Sequence, residues 1–362
     1  MSDGVTKGWR VLILSRYSRL GASSRLRIFQ YIPYLESRGA DVTVLPFFDD
    51  DYLTHLYGSG GLQMSGVLRA FARRFRSLGA WRKADVVWVE KELFPFLPGV
   101  FESFFARLSV PYVVDYDDAT FHTYDLNPNR VVRRFLAEKL DPLLRGACAV
   151  TAGSAYLAAY ARAHGAKNVV HIPTVVDLAR YAANPEPATD EIRVGWIGTP
   201  VTTTYLELLR APLNEVSKTF KIRLVTVGAR PLSDFGVPLE QHAWSIDTEA
   251  ALLSTLHIGV MPLPDEPWER GKCGYKLIQY MAVGRPVIAS PVGANADIVT
   301  PDVGILAGDA AAWSTALTRL AGDTSLRRRL GAEARARTEA FYSLQVMAPK
   351  ICTVLSNVAF GR

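Results

Sequence analysis

Short apolar runs alternate with longer segments of helical spacing along the whole chain. The first run, 11–14, is followed by a polar loop, a helically spaced segment over 26–38 and a second apolar run over 42–45. Apolar runs of this length predict strands buried on both faces. Their alternation with helices predicts right-handed parallel crossovers. The pattern therefore predicts an α/β fold.

Ten such runs predict strands, and a polar segment rich in proline divides them into two groups. Segment 184–191 has the composition of a linker. We therefore predict two doubly wound Rossmann-like domains, 1–183 and 192–339, with a last helical segment over 326–357. The predicted strands are 11–14, 42–45, 85–90, 111–115, 147–150 and 169–173, then 193–197, 222–227, 258–261 and 286–289.

Residues 271–290 combine a loop, a helix, a glycine stop and a buried strand. The helix is predicted to begin near Gly274 and to end at Val283, where Gly284 can adopt the left-handed cap conformation. The apolar run that follows has the composition of a strand covered on both faces. This compact unit is the most distinctive part of the sequence.

The predicted helix presents two cations and an amide on one face. Lys272, Lys276 and Gln279 lie close together on a helical wheel, whereas Leu277 and Met281 point away from them. Two lysines at a helix N-terminus, beside glycines that expose backbone N–H groups, suit a phosphate or diphosphate. A solvated polar face is the structural alternative.

Three loops of the second predicted domain should converge with this helix at the carboxyl ends of its strands. The first, 198–204, is rich in threonine and could cradle an anion or simply cap the next helix. The second contains a cation and the third carries several carboxylates. The candidate ligand-binding residues are Gly198, Thr199, Thr203, Arg230, Trp244, Lys272, Gly274, Tyr275, Lys276 and Gln279.

Composition and charge exclude several classes of protein. A hydrophobic content of 49% with 21% charged residues is typical of a folded globular protein. The net charge of +6 arises in residues 1–180, with 23 Lys and Arg against 17 Asp and Glu, since residues 181–362 carry 18 of each. A basic first half indicates an anionic partner. The single glycine of the loop at Gly21 does not form a dinucleotide fingerprint, so a nicotinamide cofactor is not expected.

The cysteines and the apolar runs indicate in which cellular compartment the protein is located. Three scattered cysteines support neither a disulfide framework nor a zinc site. No apolar run reaches the ~18 residues of a membrane span, and residues 1–4 lack the apolar core of a signal peptide. We therefore expect a cytoplasmic protein.

Segment 62–83 interleaves six basic residues with large apolar side chains. Such a helix can lie on an anionic membrane surface, or it can pack on a sheet with its arginines in water. Nucleic-acid binding fits less well, because no base-reading motif accompanies the basic residues. We therefore expect no nucleic-acid partner, and a peripheral location at the inner face of a membrane stays open.

Carboxylates cluster after two strands of the first predicted domain. Strands 85–90 and 111–115 both end in acid, and Asp117 and Asp118 follow the second strand. The carboxyl ends of parallel strands are where open α/β sheets bind ligands. One aspartate could serve as a helix cap, but three acids within four residues exceed that need. A catalytic base or an acceptor for a sugar hydroxyl is the favoured interpretation.

Three stretches resemble the retaining family 4 glycosyltransferases, which have the GT-B fold: 194–200 (VGWIGTP), 258–265 (IGVMPLPD) and 276–290. The Gly21 loop, the Asp115 segment and residues 154–177 are also similar to that family. The resemblance implies two Rossmann-like domains that face each other across a cleft, with a nucleotide-diphospho-sugar in the second and the acceptor in the first. It also implies that 340–362 crosses back to the first domain.

The sequence departs from the family pattern at two places. The family's pair of glutamates falls on Gly271 and Gln279, so Asp265, Glu266 or Glu269 could supply the missing carboxylate. The family's cation pair after the first strand of the second domain is also absent. Lys272 and Lys276 are therefore expected to bind the diphosphate, with Arg25 as a further candidate.

The resemblance implies sugar transfer with retention of configuration at the sugar carbon. The expected catalytic residues are Asp117, Asp118, Glu92 and Lys276, and the expected acceptor-binding residues are Gly21, Ser23, Ser24, Arg25 and His122. We expect no metal ion or other cofactor, since two lysines and oriented N–H groups would neutralise the leaving group. The expected acceptor is a saccharide, for example a lipid-linked saccharide of surface polysaccharide synthesis. A nucleotide-sugar epimerase and a non-catalytic binding protein are the alternatives.

Overall fold

The structure is a computed structural model that describes residues 8–59, 64–107 and 110–361. The chain forms two compact units. Unit 1 comprises Met1–Thr174 and Met347–Arg362, and unit 2 comprises Val175–Val346. Each unit is built around one six-stranded parallel sheet, as the alternation of strands and helices predicts.

The sheet of unit 1 has the strand order β2-β1-β3-β4-β5-β6. Val11 of the first strand pairs with Val42 on one side and Val86 on the other, which places that strand inside the sheet. Both faces of β3, β4 and β5 are buried, because helices cover the two sides. The strands are β1 (Trp9–Leu14), β2 (Ala40–Val44), β3 (Val86–Glu90), β4 (Tyr112–Tyr116), β5 (Ala149–Ala152) and β6 (Val169–His171).

The helix predicted over 26–38 is not continuous. A 3₁₀ turn at Phe29–Tyr31 separates two short helices, because Pro33 has no N–H and its ring would clash with the carbonyl of Phe29 in an unbroken helix. The helices of this part of the chain are α1 (Ala22–Arg27), α2 (Ile32–Ser37), α3 (Asp50–Ser59), α4 (Met64–Arg76), α5 (Leu78–Trp81), α6 (Val100–Ala106), α7 (His122–Asp125), α8 (Arg130–Leu136), α9 (Asp141–Gly146) and α10 (Ala155–Ala163).

The sheet of unit 2 has the order β12-β11-β10-β7-β8-β9, and all its strand pairs are parallel. Its two edge strands were not predicted, because they are short and partly exposed and so lack an apolar run. The strands are β7 (Ile192–Ile197), β8 (Ile222–Val227), β9 (Leu239–His242), β10 (Ile258–Met261), β11 (Val287–Ala289) and β12 (Gly304–Leu306).

The helical segment predicted over 326–357 is also interrupted. Val176 accepts a hydrogen bond from the N–H of Leu344 and donates one to the carbonyl of Tyr342, so a contact distant in sequence breaks the helix. The remaining elements are 3₁₀ turns at Leu178–Arg180 and Pro200–Leu209 and helices α11 (Arg210–Ser217), α12 (Glu249–Ser254), α13 (Pro267–Arg270), α14 (Tyr275–Ala282), α15 (Ala294–Ile298), α16 (Ala310–Gly322), α17 (Thr324–Phe341) and α18 (Leu344–Ala359).

Unit 2 begins earlier than the linker suggested. Residues 175–183 belong to it, and the buried Tyr181 donates a hydrogen bond from its hydroxyl to Glu249 at 2.7 Å. Hydrogen bonds also attach the linker to unit 2, because Arg285 donates to the carbonyls of Asn184 and Pro185 at 2.9 Å each. In the part of the chain that the structure describes, no helix is both long and apolar enough to cross a membrane.

Candidate active site

Helix α14 starts at the carboxyl edge of the unit 2 sheet, because the loop that precedes it leaves the end of β10. Its N-cap, Gly274, has φ +66°, and a Cβ there would lie 2.3 Å from Cδ1 of Ile298. A glycine is therefore required on both conformational and steric grounds. Gly284 follows the helix with φ +75°. The predicted helix, with its glycine stop, is confirmed.

The apolar face of α14 anchors it to the sheet. Leu277 and Met281 are fully buried, as the helical wheel predicts. Tyr280 is buried too, and its hydroxyl accepts a hydrogen bond from the N–H of Ile197 at 2.8 Å. This bond fixes the helix against the carboxyl end of β7, so the polar face has a defined position.

The two lysines of α14 and its preceding loop carry charge without an acidic partner. Among the described residues, neither Lys272 nor Lys276 forms a salt bridge. The Nζ atom of Lys276 lies 4.8 Å from the centre of the Trp196 ring. Burial, followed by the nearby charge of Lys272, lowers the pKa of Lys276 to about 7. A bound anion would relieve both effects, which makes this position suited to a phosphate group.

The loops after β7 and β8 meet beside the same tryptophan. A Cβ on Gly228 would lie 2.4 Å from the carbonyl oxygen of Gly198, and a Cβ on Gly198 would lie 2.3 Å from the Trp196 ring. Glycines at both positions thus allow the two loops to approach closely. The tertiary structure therefore brings the threonine loop and Lys276 to the same indole ring.

The threonine hydroxyls form hydrogen bonds mainly within their own loop. Thr202 Oγ1 accepts from the N–H of Thr199 at 3.2 Å, so Thr199 sits at a helix cap, the structural alternative left open above. The buried Thr203 accepts from the N–H of Arg230 at 2.9 Å, while the side chain of Arg230 is exposed. The two loops are therefore fastened to each other, and a ligand would meet their backbone and the Arg230 side chain.

Gln279 does not present its amide to a ligand as predicted. It is buried and donates to the hydroxyl of Tyr181 at 2.9 Å. Both groups belong to a cluster around Glu249, a residue that the sequence pattern did not single out. The indole N–H of Trp244 donates to that carboxylate at 2.7 Å, and Arg180 pairs with it at 3.1 Å. The cluster fixes the ring of Trp244, which stays 39% exposed.

The acids that could replace the missing family carboxylate differ in their surroundings. Asp265 is exposed and pairs with Arg270 at 2.6 Å, whereas Glu269 is buried and accepts from the hydroxyl of Tyr205. Asn295 is a further candidate that the sequence did not indicate. It is buried near Gly274, and its Oδ1 atom has no hydrogen-bond partner in the described parts of the chain.

Unit 1 gathers serines and carboxylates at the carboxyl edge of its sheet. Ser23 donates to Asp117 at 2.6 Å and lies 3.0 Å from Glu90, and Ser24 donates to Glu90 at 2.6 Å. Glu90 is fully buried, and burial raises its pKa. Strands β3 and β4 thus bring Glu90 and Asp117 to the loop that carries the serines. These contacts bring Ser23, Ser24 and Asp117 together.

Lys91 is the residue of this cluster that the sequence did not reveal. It has φ +64°, which is unusual for a residue with a side chain, and its Nζ lies 2.9 Å from Oδ1 of Asp117. Burial disfavours the carboxylate of Asp117, but Lys91 and then Arg27 outweigh it and lower its pKa. Asp117 is therefore ionised and only partly exposed, a state that suits accepting a hydrogen bond from a hydroxyl.

Glu92, predicted to be catalytic, serves a buried ion-pair network. It lies 2.7 Å from Lys139, 2.5 Å from Arg16 and 2.6 Å from the hydroxyl of Tyr124. Burial opposes its ionisation, but Lys139 and Arg16 outweigh burial and lower its pKa. Glu92 is 3% exposed, and its carboxylate already contacts three protein side chains. It is therefore placed to stabilise the fold and not to contact a substrate.

The other predicted acceptor-site residues have protein partners. His122 uses both ring nitrogens, at 2.8 Å from Asp125 and 2.8 Å from the Tyr156 hydroxyl. Gly21 is the N-cap of α1, and Arg25 contacts the carbonyls of Arg19 and Leu20. Asp118, predicted to be catalytic, accepts a hydrogen bond from the N–H of Ala119.

Asp115 likewise has a structural partner. It forms a buried bidentate pair with Arg27, at 2.9 Å and 2.6 Å, and accepts from Thr151 at 2.5 Å. Such a pair costs desolvation energy but is compensated by its hydrogen bonds. Asp117, in contrast to the buried Asp115, combines partial exposure with a cation and a hydroxyl.

No group of three or more His, Cys, Asp or Glu side chains suited to a metal ion is found in the described ranges.

Comparisons with known proteins match both halves of the chain to glycosyltransferase families. Residues 5–174 match the model for the glycosyl transferase 4-like domain, and residues 192–323 match the model for glycosyl transferases group 1. No curated protein matches the chain in a sequence search.

Solved structures with low sequence identity share the fold. Sucrose-phosphate synthase from Thermosynechococcus elongatus has a TM-score of 0.74 at 17% identity, with 98% of this chain and 100% of that chain covered. Anabaena Alr3699/HepE, solved with UDP and glucose, has a TM-score of 0.71 at 16% identity, covering 96% and 100%. WaaG, a glycosyltransferase involved in lipopolysaccharide biosynthesis, has a TM-score of 0.68 at 13% identity, covering 96% and 99%.

The two family models together span most of the sequence, and the structures that share its two-domain α/β fold include glycosyltransferases. The chain is a glycosyltransferase with the GT-B fold.

Proposed function

We propose that this enzyme moves a sugar, with retention of configuration, from a nucleotide-diphospho-sugar bound by unit 2 to a hydroxyl of an acceptor bound by unit 1. The observation that carries the proposal is the pair Lys272 and Lys276, which lie at the start of α14 without a carboxylate partner among the described residues. Several other cations of the unit are neutralised, such as Arg193 by Glu240 at 2.6 Å, whereas these two are available to a ligand.

The leaving nucleotide diphosphate gains negative charge as the sugar bond breaks. Lys276, Lys272 and the first N–H groups of α14 stabilise that charge, and they do so most strongly in a site that excludes water. The depressed pKa of Lys276 rises when the diphosphate binds, so the side chain is an ammonium in the complex. These groups supply the positive charge, and we propose that the reaction requires no metal ion.

The acceptor hydroxyl is oriented by Asp117. Its carboxylate is ionised, held by Lys91 and Ser23, and still partly exposed. A carboxylate with a lowered pKa is a weak base, so its role is to position the hydroxyl, and the departing diphosphate takes the proton. Retention follows from the family resemblance, and the anomeric configuration of the product, read by NMR, tests it.

We propose a lipid-linked saccharide as the acceptor, with α4 contacting an anionic membrane surface. Met64 and Leu68 are 63% and 66% exposed on one side of α4, beside the exposed Arg69 and Arg76. Residues 62 and 63 of the predicted basic segment lie outside the described residues. An apolar stripe flanked by arginines has the composition of an interfacial helix.

Two neighbouring arginines of α4 do not contribute to this surface. Arg74 is buried and donates to the carbonyl of Ser15 at 2.9 Å, and Arg73 pairs with Asp49 at 2.7 Å. The membrane-facing charge is therefore smaller than the sequence suggested. Flotation with anionic vesicles tests the surface: Leu68→Glu should abolish binding, and Phe341→Glu, an exposed site in unit 2, should leave it unchanged. Equal binding by both variants contradicts the membrane proposal.

A thermal-shift screen with UDP, GDP, TDP and ADP sugars identifies the donor. UDP sugars come first because the similar Anabaena protein was solved with UDP. A ligand that binds only the native state raises its melting temperature by mass action. Lys276→Ala should remove the shift, and Lys218→Ala, an exposed lysine of unit 2 paired with Glu215, should keep it.

Turnover assays separate the transferase from the alternatives. A transferase releases the nucleoside diphosphate at a rate that depends on acceptor, whereas an epimerase converts the donor without acceptor. A non-catalytic binding protein shows the thermal shift and no release at all. No shift with any of the four sugar classes contradicts the donor assignment.

A further inference from the structure

Unit 2 contains a cavity of about 720 Å³ at the edge of its sheet opposite the lysine site. His257 and Pro286, which line it, directly precede β10 and β11, so the cavity lies at the amino ends of these strands. Helix α14 starts at the carboxyl edge and ends here, where Gly284 lines the wall. The cavity is therefore separate from the donor site, and the proposed reaction does not use it.

Four arginines and one carboxylate line this cavity, which we name the amino-edge pocket. The carboxylate, Glu186, accepts from Arg327 and lies 3.5 Å from Arg328. Arg335 contacts the carbonyls of Tyr181 and Ala282. Arg335 also pairs with Glu339 at 2.5 Å, so four guanidinium groups face two carboxylates and the positive charge exceeds the negative charge by two.

Arg285 is a buried arginine in the lining of the amino-edge pocket. It is 2% exposed, and its two terminal nitrogens donate to backbone carbonyls of the linker and of Ser254. Its Nε–H group is buried and has no acceptor within the described residues. A buried donor without a partner is destabilising, and an anion that reached this group from the pocket would supply the missing acceptor. Burial lowers the pKa of Arg285, a direction that a bound anion would reverse.

His257 does not add to the charge. Its Nδ1 atom accepts from the N–H of Arg193 and its Nε2 atom lies 3.1 Å from the carbonyl of Pro187, an arrangement that requires the neutral ring. Burial lowers its pKa and keeps it neutral. The pocket's charge therefore comes from guanidinium groups, whose planar donors match phosphate oxygens in pairs.

We propose that the amino-edge pocket binds a small phosphorylated compound, with Arg285 and Arg328 as its phosphate contacts. Arg328 is available because its side chain is 70% exposed. The net charge of the lining suits a phosphate carrying two or more negative charges. The volume lies within the range of about 300–1,000 Å³ for small-molecule sites and leaves room for a sugar or nucleoside beside the phosphate.

Isothermal titration with inorganic pyrophosphate tests this site in a protein whose donor lysines have been removed, Lys272→Ala with Lys276→Ala. In that background we expect one pyrophosphate to bind per chain. Adding Arg328→Glu should weaken binding at least about tenfold, since a charged contact is replaced by a repulsive one. Ala332→Glu places a carboxylate at another exposed lining position and should act likewise.

Arg329→Glu is the matched control, because it changes the net charge by the same amount on the same helix. Arg329 is exposed and lines a different cavity, so binding should stay within about twofold of the background protein. Absence of pyrophosphate binding in the lysine-free background, or equal weakening by the Arg328 and Arg329 variants, overturns the proposal. Failure of the donor assignment would show separately, as nucleotide-sugar binding that is indifferent to Lys276.

Discussion

The carboxyl edges of the two sheets use charge in opposite ways. In unit 1 the cations are neutralised inside the protein: Lys91 by Asp117, Lys139 by Glu92 and Arg27 by Asp115. In unit 2, Lys272 and Lys276 have no carboxylate within salt-bridge distance in the described structure. In the proposed function, one sheet thus carries a site for a neutral hydroxyl and the other a site for an anion. The contrast indicates that charge balance, more than fold, distinguishes the proposed acceptor side from the proposed donor side.

Breaking a neutralised pair should cost the most. Lys139→Met leaves Glu92 buried beside Arg16 but without its closest lysine, and we expect a loss of about 3–5 kcal/mol in the free energy of unfolding. Urea denaturation measures this loss. Arg145→Met is the control, since that arginine is 61% exposed in its pair with Asp141 and should contribute little. Equal stability of the two variants would show that the network of unit 1 is not structural.

Substitution of Lys276, which has no carboxylate partner among the described residues, should reduce activity without reducing stability. Lys276→Met is expected to lower turnover at least about hundredfold, or about 3 kcal/mol in the barrier, because a group that stabilises the leaving charge is lost. Stability should not fall, since the substitution also removes a poorly solvated cation. Turnover and urea denaturation on the same preparation decide the matter. A variant that loses stability together with activity would argue for a structural lysine.

A smaller effect should follow from the cap of α14. Gly274→Ala forces a side chain into φ +66° and toward Ile298, so we expect about 1–2 kcal/mol of lost stability and weaker donor binding. Gly308→Ala is the control, because its nearest neighbour to an added Cβ is 3.7 Å away and its φ is ordinary. Donor binding that survives Gly274→Ala unchanged would remove the start of α14 from the site.

The pH dependence of donor binding should be the smallest of these effects. The folded pKa of Lys276 is about 7, so in the free site this side chain is cationic below that pH and neutral above it. Binding of the diphosphate raises that pKa, so affinity should fall about tenfold between about pH 6 and about pH 8, with proton uptake at the higher pH. Calorimetry in buffers of different ionisation enthalpy measures the uptake. Lys276→Arg should abolish the pH dependence, and a profile shared by both proteins contradicts the assignment.

The same shift predicts how stability varies with pH. The pKa of Lys276 is depressed in the folded state, so between about pH 7 and the usual lysine pKa of 10.5 only the unfolded chain holds the proton. The contribution of this group to stability therefore rises with pH across that window and is constant below it. Lys276→Met should remove this slope.

The sequence by itself determined ten of the twelve strands that the structure describes, the boundaries of α14 and its division into a buried and a cationic face, because these depend on local apolar periodicity and on glycine. It could not show which charges are paired. Glu92, Gln279 and His122 were candidates by residue type, and contacts distant in sequence gave each of them a protein partner. The two edge strands of unit 2 and the break before α18 also escaped, since a tertiary bridge such as that between Val176 and Ser343 leaves no local pattern. The preference of a segment for helix or strand depends on residues close in sequence. The neutralisation of a charge depends instead on which distant residue the fold brings within hydrogen-bonding distance.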